Sequence, residues 1–323
     1  MTVQSVLKVS YDKLDHTCQE IFLDIACFFR RKHKDFVSRI LGSYAMMGIK
    51  VLNDRCLLTI SENKLDMHDL VQQMGQEIVR QECLKEPGNR SRLWDPDDVV
   101  RVLTRNMGTQ AIEGLVVQSS LASQISTNSF TKMNRLRLLK VYYSGFLLRA
   151  FVENLPQDLD FPCFDLRYFH FKGYPLESLP TNFHAKNLVE LNLKHSNIKQ
   201  LWQGNEILDN LKVINLSYST NLVEISDFSR VTNLEILILK GCESLESFPA
   251  IKGDMSKLRE IDLSSTGIEE LPSSIRHLKA LQHLDFSYCK SLRSLSESIC
   301  NLSSLETLIL DECSETFYHH DFI

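Results

Sequence analysis

The sequence predicts an α/β protein: a leucine-rich-repeat solenoid preceded by a small, mostly α-helical winged-helix domain. Two observations carry that prediction. The first is a sentence of residues, L-x-x-L-x-L-x-x-x-x-L, written seven times from Leu166, Leu188, Leu211, Leu234, Leu258, Leu281 and Leu305, at intervals of 22, 23, 23, 24, 23 and 24 residues. A period in the twenties with this content marks a solenoid of stacked strand-bearing repeats. The second is a change of periodicity before the repeats, where apolar residues fall at helical rather than strand spacing.

Within each repeat the alternation is that of a strand. Leu191-x-Leu193 turns one side inward and leaves the other for solvent. A second apolar anchor follows, as at Leu179, Leu201, Ile225, Phe248, Leu271 and Leu295, and a third three or four residues later, as at Phe183, Phe228, Ile251, Ile275 and Ile299. Pro180, Pro249 and Pro272 sit after the second anchor, where extended chain without a ladder donor is tolerated. The ninth position holds Ser196, Ser219, Cys242, Thr266, Cys289 and Cys313, small groups suited to satisfying backbone where the chain leaves the strand. Leu136, Leu139 and Val141 read as a degenerate eighth repeat, and Gly145 to Cys163 as an insertion. No polar terminal cap follows the seventh repeat, so the chain is expected to be a piece of something longer.

The first hundred residues read differently. Leu14, Cys18, Ile21, Phe22, Ile25, Ala26 and Phe29 form the apolar face of a helix. Asp35 to Leu41 suggests a second helix, and 56–67 a hairpin turning at Ser61-Glu-Asn63. Asp69 opens a helix with Gln72 at capping-box spacing. A further helix is expected over about 95–105, and Ile112 to Val117 as the strand that starts the solenoid sheet. The divisions are therefore 1–105 for the winged-helix subdomain, 106–135 for a connector with the first solenoid strand, and 136–323 for the repeats.

Net charge is −5, divided as 16 basic against 15 acidic residues in 1–105, giving +1, and 20 against 26 in the remainder, giving −6. That balance does not suggest a dedicated nucleic-acid binder. Nine scattered cysteines without C-x-x-C pairs fit reduced thiols. No signal sequence and no run of 18 apolar residues is visible, so neither secretion nor a membrane partner is expected, and the location is read as cytoplasmic, with the nucleus also open. No H-E-x-x-H, G-x-S-x-G or G-x-G-x-x-G occurs. No catalytic residue and no metal site is predicted, and the terminal His319-His320 reads as tail. The run Arg30-Arg-Lys-His-Lys34 reads as a solvated loop beyond a helix end. A winged-helix DNA binder would need a basic recognition helix, whereas the helix after Asp69 offers Gln72, Gln73, Gln76, Glu77 and Arg80.

Five motifs in order then become specific: Phe22-Leu-Asp-Ile-Ala-Cys-Phe-Phe29, Met67-His68-Asp69, Ser91-Arg-Leu-Trp-Asp-Pro96, Leu166-Arg-Tyr-Phe-His-Phe-Lys-Gly-Tyr-Pro175 and Leu188-Val-Glu-Leu-Asn-Leu-Lys-His-Ser-Asn-Ile198. Together they closely resemble plant intracellular disease-resistance receptors of the TIR–NB-ARC–LRR class. The resemblance implies a defense-response receptor in which a nucleotide-binding module holds ADP at rest, the repeats restrain the switch and sense a pathogen effector or guarded host protein, and ADP-to-ATP exchange accompanies activation. It implies that His68, flanked by Met67 and Asp69, contacts the ADP phosphates. No G-x-x-x-x-G-K-[ST] loop occurs in the chain, so tight nucleotide binding and hydrolysis are not expected of it.

A partner is expected on the concave face of the solenoid, at the outward positions of each motif. These are His170, Lys172, Asn192, Lys194 and His195 in early repeats, Asn215, Tyr218 and Lys240 in the middle, and Glu260, Asp262, His283, Asp285, Tyr288, Asp311 and Glu312 late. The face should pass from basic to acidic, with the early lysines docking the receptor's own NB-ARC module by charge complementarity and the later face open to another protein. The alternatives are a stand-alone repeat module that binds protein, and the nucleic-acid-binding winged helix set aside above.

Overall fold

A computed structural model describes residues 3–118, 128–142, 164–180, 183–202, 207–225, 228, 231–295 and 297–313. The expected insertion at Gly145 to Cys163 and the terminal histidines lie outside the described residues.

The helical part holds α1 (Val3–Asp12), α2 (His16–Asp24), α3 (Lys34–Leu41), α4 (Ala45–Asp54), the hairpin β1 (Thr59–Ser61) and β2 (Lys64–Asp66), and α5 (Asp69–Glu82). The expected single helix through Leu14 and Phe29 is instead divided. Leu14 closes a turn after α1, and Asp15 caps α2 by accepting the Cys18 amide at 2.8 Å. The apolar run then finishes as a π-helical turn, Ile25–Phe29, which buries Ile25, Ala26 and Phe29. A π turn re-aims side chains within an otherwise regular helix.

The hairpin turns through Glu62 and Asn63, both at positive φ, as the polar turn predicts. Its second strand is also paired on the far side: Arg31 N–H donates to Leu65 O at 2.6 Å, Leu65 N–H to Lys32 O at 2.8 Å, and Lys34 N–H to Asn63 O at 2.7 Å. The run 30–34 is thus an exposed loop after the π turn, as expected, held against the wing by these bonds and a single antiparallel bridge between His33 and Lys64.

The remaining strands form one parallel ten-stranded sheet in strict chain order: β3 (Arg92–Leu93), β4 (Gly114–Gln118), β5 (Leu138–Tyr142), β6 (Tyr168–Phe171), β7 (Glu190–Asn192), β8 (Val213–Asn215), β9 (Ile236–Ile238), β10 (Glu260–Asp262), β11 (His283–Asp285) and β12 (Thr307–Ile309). The sheet begins one strand earlier than expected, at Arg92, with α6 (Pro96–Thr104) between its first two strands. Motif positions pair in register, as Leu191 with Ile214 and Ile214 with Leu237. Inward leucines form a continuous core with the second and third anchors, from Leu179 and Phe183 to Leu271 and Ile275.

The exit from each strand is built alike. The eighth position takes positive φ at Gly173, His195, Tyr218, Gly241, Ser265, Tyr288 and Glu312. Its N–H still donates to the neighbouring repeat, as from His195 to Ser217 O at 2.8 Å and from Tyr288 to Asp311 O at 2.7 Å. The left-handed conformation is held at non-glycine positions because it completes that ladder. Beneath it the ninth-position groups link repeats: Ser196 Oγ lies 2.7 Å from Ser219 Oγ, and the Cys242, Cys289 and Cys313 thiols donate to Leu216, Leu263 and Phe286 carbonyls at 3.3, 3.0 and 3.2 Å.

Candidate functional site: the His68 junction and the concave face

His68 ends the wing and starts α5. It, not Asp69, is the N-cap: its Nδ1 accepts the Leu70 amide at 3.2 Å. An accepting Nδ1 places the proton of the neutral ring on Nε2, so the exposed ring presents a donor at a helix N-terminus. Gln72 does not close a capping box. Its amide donates to Ala26 O at 3.0 Å and its carbonyl oxygen accepts from Arg30 at 2.5 Å. Arg30 also reaches Asp66 at 2.7 Å and Asp69 at 2.7 Å, and Asp66 accepts the Met67 amide at 2.8 Å. The hydrogen bond from Arg30 holds the Asp66 carboxyl below the usual range, with the Met67 amide adding to it. Met67 is buried, so the backbone on both sides of His68 is fixed.

The helical domain sits on the concave side of the first repeats. Tyr168, on β6, packs between Phe29 at 6.4 Å and Phe36 at 5.6 Å between ring centroids. Leu138, Tyr168 and Val189 belong to the helical domain's core cluster rather than the repeats' own. The polar part of the seam is built on Asp24. Its buried carboxylate accepts from Arg92 Nε at 2.7 Å and faces Arg137 Nη2 at 3.2 Å, while Arg92 also reaches Glu20 at 2.9 Å. Arg167 Nε donates to Ile40 O at 2.8 Å, and Arg39 lies 3.9 Å from Glu190. Burial pushes the Glu190 carboxyl up to about 7, against Arg39, the Asn192 hydrogen bond and Lys194.

The expected concave-face residues therefore divide. His170, Lys172, Asn192 and Lys194 are half-buried near the seam. Burial, then Lys140, Lys194, Lys32 and Lys172 in turn, hold His170 down at about 3. Asn215, Asp262 and Asp285 are committed to strand exits: each Oδ1 accepts both the amide and the hydroxyl of the serine two residues on, with hydroxyl distances of 2.6, 2.6 and 2.5 Å. Asn215 is buried, so its sequence position suggested a surface that it does not occupy. His195, Tyr218, Lys240, His283, Tyr288, Asp311 and Glu312 are exposed, and Glu260 is partly so. His195 and Tyr218 stack at 5.0 Å with an 11° interplanar angle, and Tyr218 lies over Gly241, where a Cβ would come within 2.6 Å of its ring.

Sequence reasoning did not find Asp24, Lys32, Arg39, Arg92, Arg137, Lys140, Tyr168 or Glu190. One signal was present: the third motif position, nominally outward, holds Tyr168, an aromatic where a solvated residue is expected. The wing adds a cation of its own here, Lys32, which acts on His170 together with Lys140, Lys194 and Lys172.

A winged-helix family described as that of Roq1-like disease resistance proteins matches residues 15–83, a leucine-rich repeat region matches 211–319, and a leucine-rich repeat matches 187–206. Both halves are similar to plant disease-resistance proteins. Disease resistance protein RPV1 of Vitis rotundifolia is 46% identical over 279 residues, covering 79% of this chain and 20% of that protein. RPP2A of Arabidopsis thaliana is 38% identical over 336 residues, covering 96% and 25%. TMV resistance protein N of Nicotiana glutinosa is 35% identical over 361 residues, covering 96% and 31%. The chain spans between a fifth and a third of the length of these curated relatives. Among solved structures, InlP of Listeria monocytogenes aligns with a TM-score of 0.43 and 17% identity over 66% of this chain and 57% of that one. Among the described residues no helix is long and apolar enough to cross a membrane.

Proposed function

We propose that this chain is the winged-helix and repeat part of a plant immune receptor, acting by recognition rather than catalysis inside the cell. The exposed later concave face takes a protein partner, a pathogen effector or guarded host protein. His68 Nε2 donates to the phosphates of ADP or ATP held by the wider nucleotide-binding module. The single observation that supports the reading best is the seam itself. A helical domain that positions His68 is joined to the first repeats by a buried aromatic and ionic contact, so strain on the repeats reaches the nucleotide-sensing helix through packed side chains.

The anchors for a partner are His195, Tyr218 and Tyr288, large rings on backbone already fixed by the ladder. Protein binders selected against the whole chain from a library of pathogen effectors test this. Tyr218→Ala with Tyr288→Ala should weaken selected effectors by about a thousandfold, in the range of two interface hot spots of about 2 kcal/mol each. Arg293→Ala, an exposed residue beyond the strand exit, should leave them within twofold. Effectors indifferent to both tyrosines would place recognition elsewhere. Calorimetric titration with ADP should give affinity weaker than micromolar for this chain alone, because one donor is a small part of a phosphate site.

A further inference from the structure

Three bonds from one side chain join the His68 junction to the rest of the helical domain. Arg30 is the first residue after the π turn Ile25–Phe29. Its Nε donates to Asp66 Oδ1 at 2.7 Å, and its Nη1 reaches Asp69 Oδ1 at 2.7 Å and Gln72 Oε1 at 2.5 Å. Asp66 ends strand β2, two residues before His68, and Asp69 opens α5 directly after it. Gln72, in the first turn of α5, donates back to Ala26 O inside the π turn at 3.0 Å. One guanidinium thus spans wing, junction and helix, a reach that its forked set of donors allows.

The same bonds set the charge that an approaching anion meets. His68 exposes its ring at a helix N-terminus, a place that favours anions. Two carboxylates within two residues of it oppose that preference. Among the described residues Arg30 is the only cation within ion-pair distance of Asp69, whereas Asp66 also has Arg31 at 3.8 Å. Stability is not what these pairs chiefly supply. The Asp69 side chain is 73% exposed and that of Asp66 41%, and ion pairs so exposed contribute little. Arg30 is also placed next to the seam. A Cβ at Gly114 on β4 would lie 2.4 Å from the Phe28 ring, and Phe29, adjacent to Arg30 in the chain, lies 6.4 Å from Tyr168 on β6 between ring centroids.

Resting on the phosphate contact read for His68 above, we propose that Arg30 is the positioning residue of that junction: it covers Asp66 and Asp69 so that an anion reaches His68 Nε2, and it ties the junction to the π turn seated on the first repeats. Drawing Arg30 away uncovers a carboxylate on each side of His68 and makes the junction repel anions. Movement at the seam then lowers phosphate affinity with His68 itself unchanged.

The test is nuclear magnetic resonance on the whole chain with labelled histidine, at low ionic strength, where exposed charges are least screened. Pyrophosphate is the probe, and the His68 signal is identified by its loss in His68→Asn. Pyrophosphate should move that signal saturably in the parent. Arg30→Gln should weaken the binding about tenfold by uncovering like charge beside the anion. Adding Asp66→Asn and Asp69→Asn to Arg30→Gln should restore it to within about threefold of the parent, because no carboxylate is left to cover. A scaffolding role alone predicts no such rescue, since the triple variant lacks the same ion pairs. The denaturant midpoint of Arg30→Gln should stay close to that of the parent. The imidazole nitrogen shifts, read above the ordinary imidazole range, report on the junction with no anion present. The parent should show the Nε2–H tautomer, and Arg30→Gln a mixture of both as the Nδ1 bond to the Leu70 amide loosens. If His68 in the parent ignores pyrophosphate, the phosphate reading fails and the nitrogen shifts alone decide the role of Arg30. The inference is overturned if Arg30→Gln binds pyrophosphate as the parent does, if the triple variant stays as weak as Arg30→Gln, or if the tautomer is indifferent to Arg30.

Discussion

At the scale of single residues, the seam contains two groups whose titrations oppose each other. Glu190 lies buried beneath Arg39, with Tyr168, Asn192 and Lys194 about it, and its carboxyl is raised to about 7. The stability that its protonated form contributes is full below the ordinary carboxylate range and is lost as pH rises through about 7. His170 is held down to about 3 by burial and four lysines. Its contribution is full above the ordinary imidazole range and is lost as pH falls toward about 3. The two slopes cancel in part between the ordinary carboxylate and imidazole pKa values. Glu190→Gln should therefore unmask a protein that steadily gains stability as pH rises through that interval, and His170→Asn one that steadily loses it. Urea unfolding at several pH values reads both. Parallel slopes in the two variants would refute the assignment.

At the scale of elements, the seat of the helical domain depends on what β4 leaves out. A Cβ at Gly114 would lie 2.4 and 2.6 Å from the Phe28 ring, so the strand and the end of the π turn touch there only because no side chain intervenes. Gly114→Val should cost about 2 kcal/mol or more by overpacking, measured by denaturant midpoint, and Phe28→Ala in the same chain should recover part of it. The repeats were legible in the sequence because the spacing of leucines is itself the structure: register, inward face and ninth-position bonds all follow from one period. The wing was legible from its polar turn. What escaped was set by tertiary contact. Arg92-Leu93 is two residues long and leads with an arginine, which signals a strand only once Asp24 and Glu20 are seen to neutralise it. The helix α4 was passed over because Met46 and Met47, both exposed, blur its apolar stripe. The phosphate contact proposed for His68 rests on motif resemblance, whereas its N-cap geometry, with Nδ1 accepting the Leu70 amide, came only from the fold.

At the scale of the whole molecule, two hydrophobic cores meet through a few side chains, with Tyr168 on the repeat side belonging to the core of the helical domain. Such a junction makes unfolding of the two parts one event as long as the coupling exceeds the difference in their stabilities. Tyr168→Ala removes a buried ring from between two others and should cost about 3 kcal/mol. Calorimetry should then resolve two melting transitions where the parent shows one. A single transition, merely shifted downward, would show that Asp24 with Arg92 and Arg137 suffices to couple the parts. The concave face is shared along its length: the first strands are occupied by the chain's own helical domain, and the later ones present rings and acids to solvent.

The strict chain order of the parallel sheet has an evolutionary consequence. Because each strand bonds only to the one before and the one after, a block of 23 or 24 residues can be duplicated, deleted or recombined with its backbone bonds restored at the new boundary. Changes confined to the strands beyond β8 leave Tyr168, Asp24 and Glu190 untouched. A lineage carrying this architecture can reshuffle the later strands while the seam between helical domain and first repeats is inherited whole.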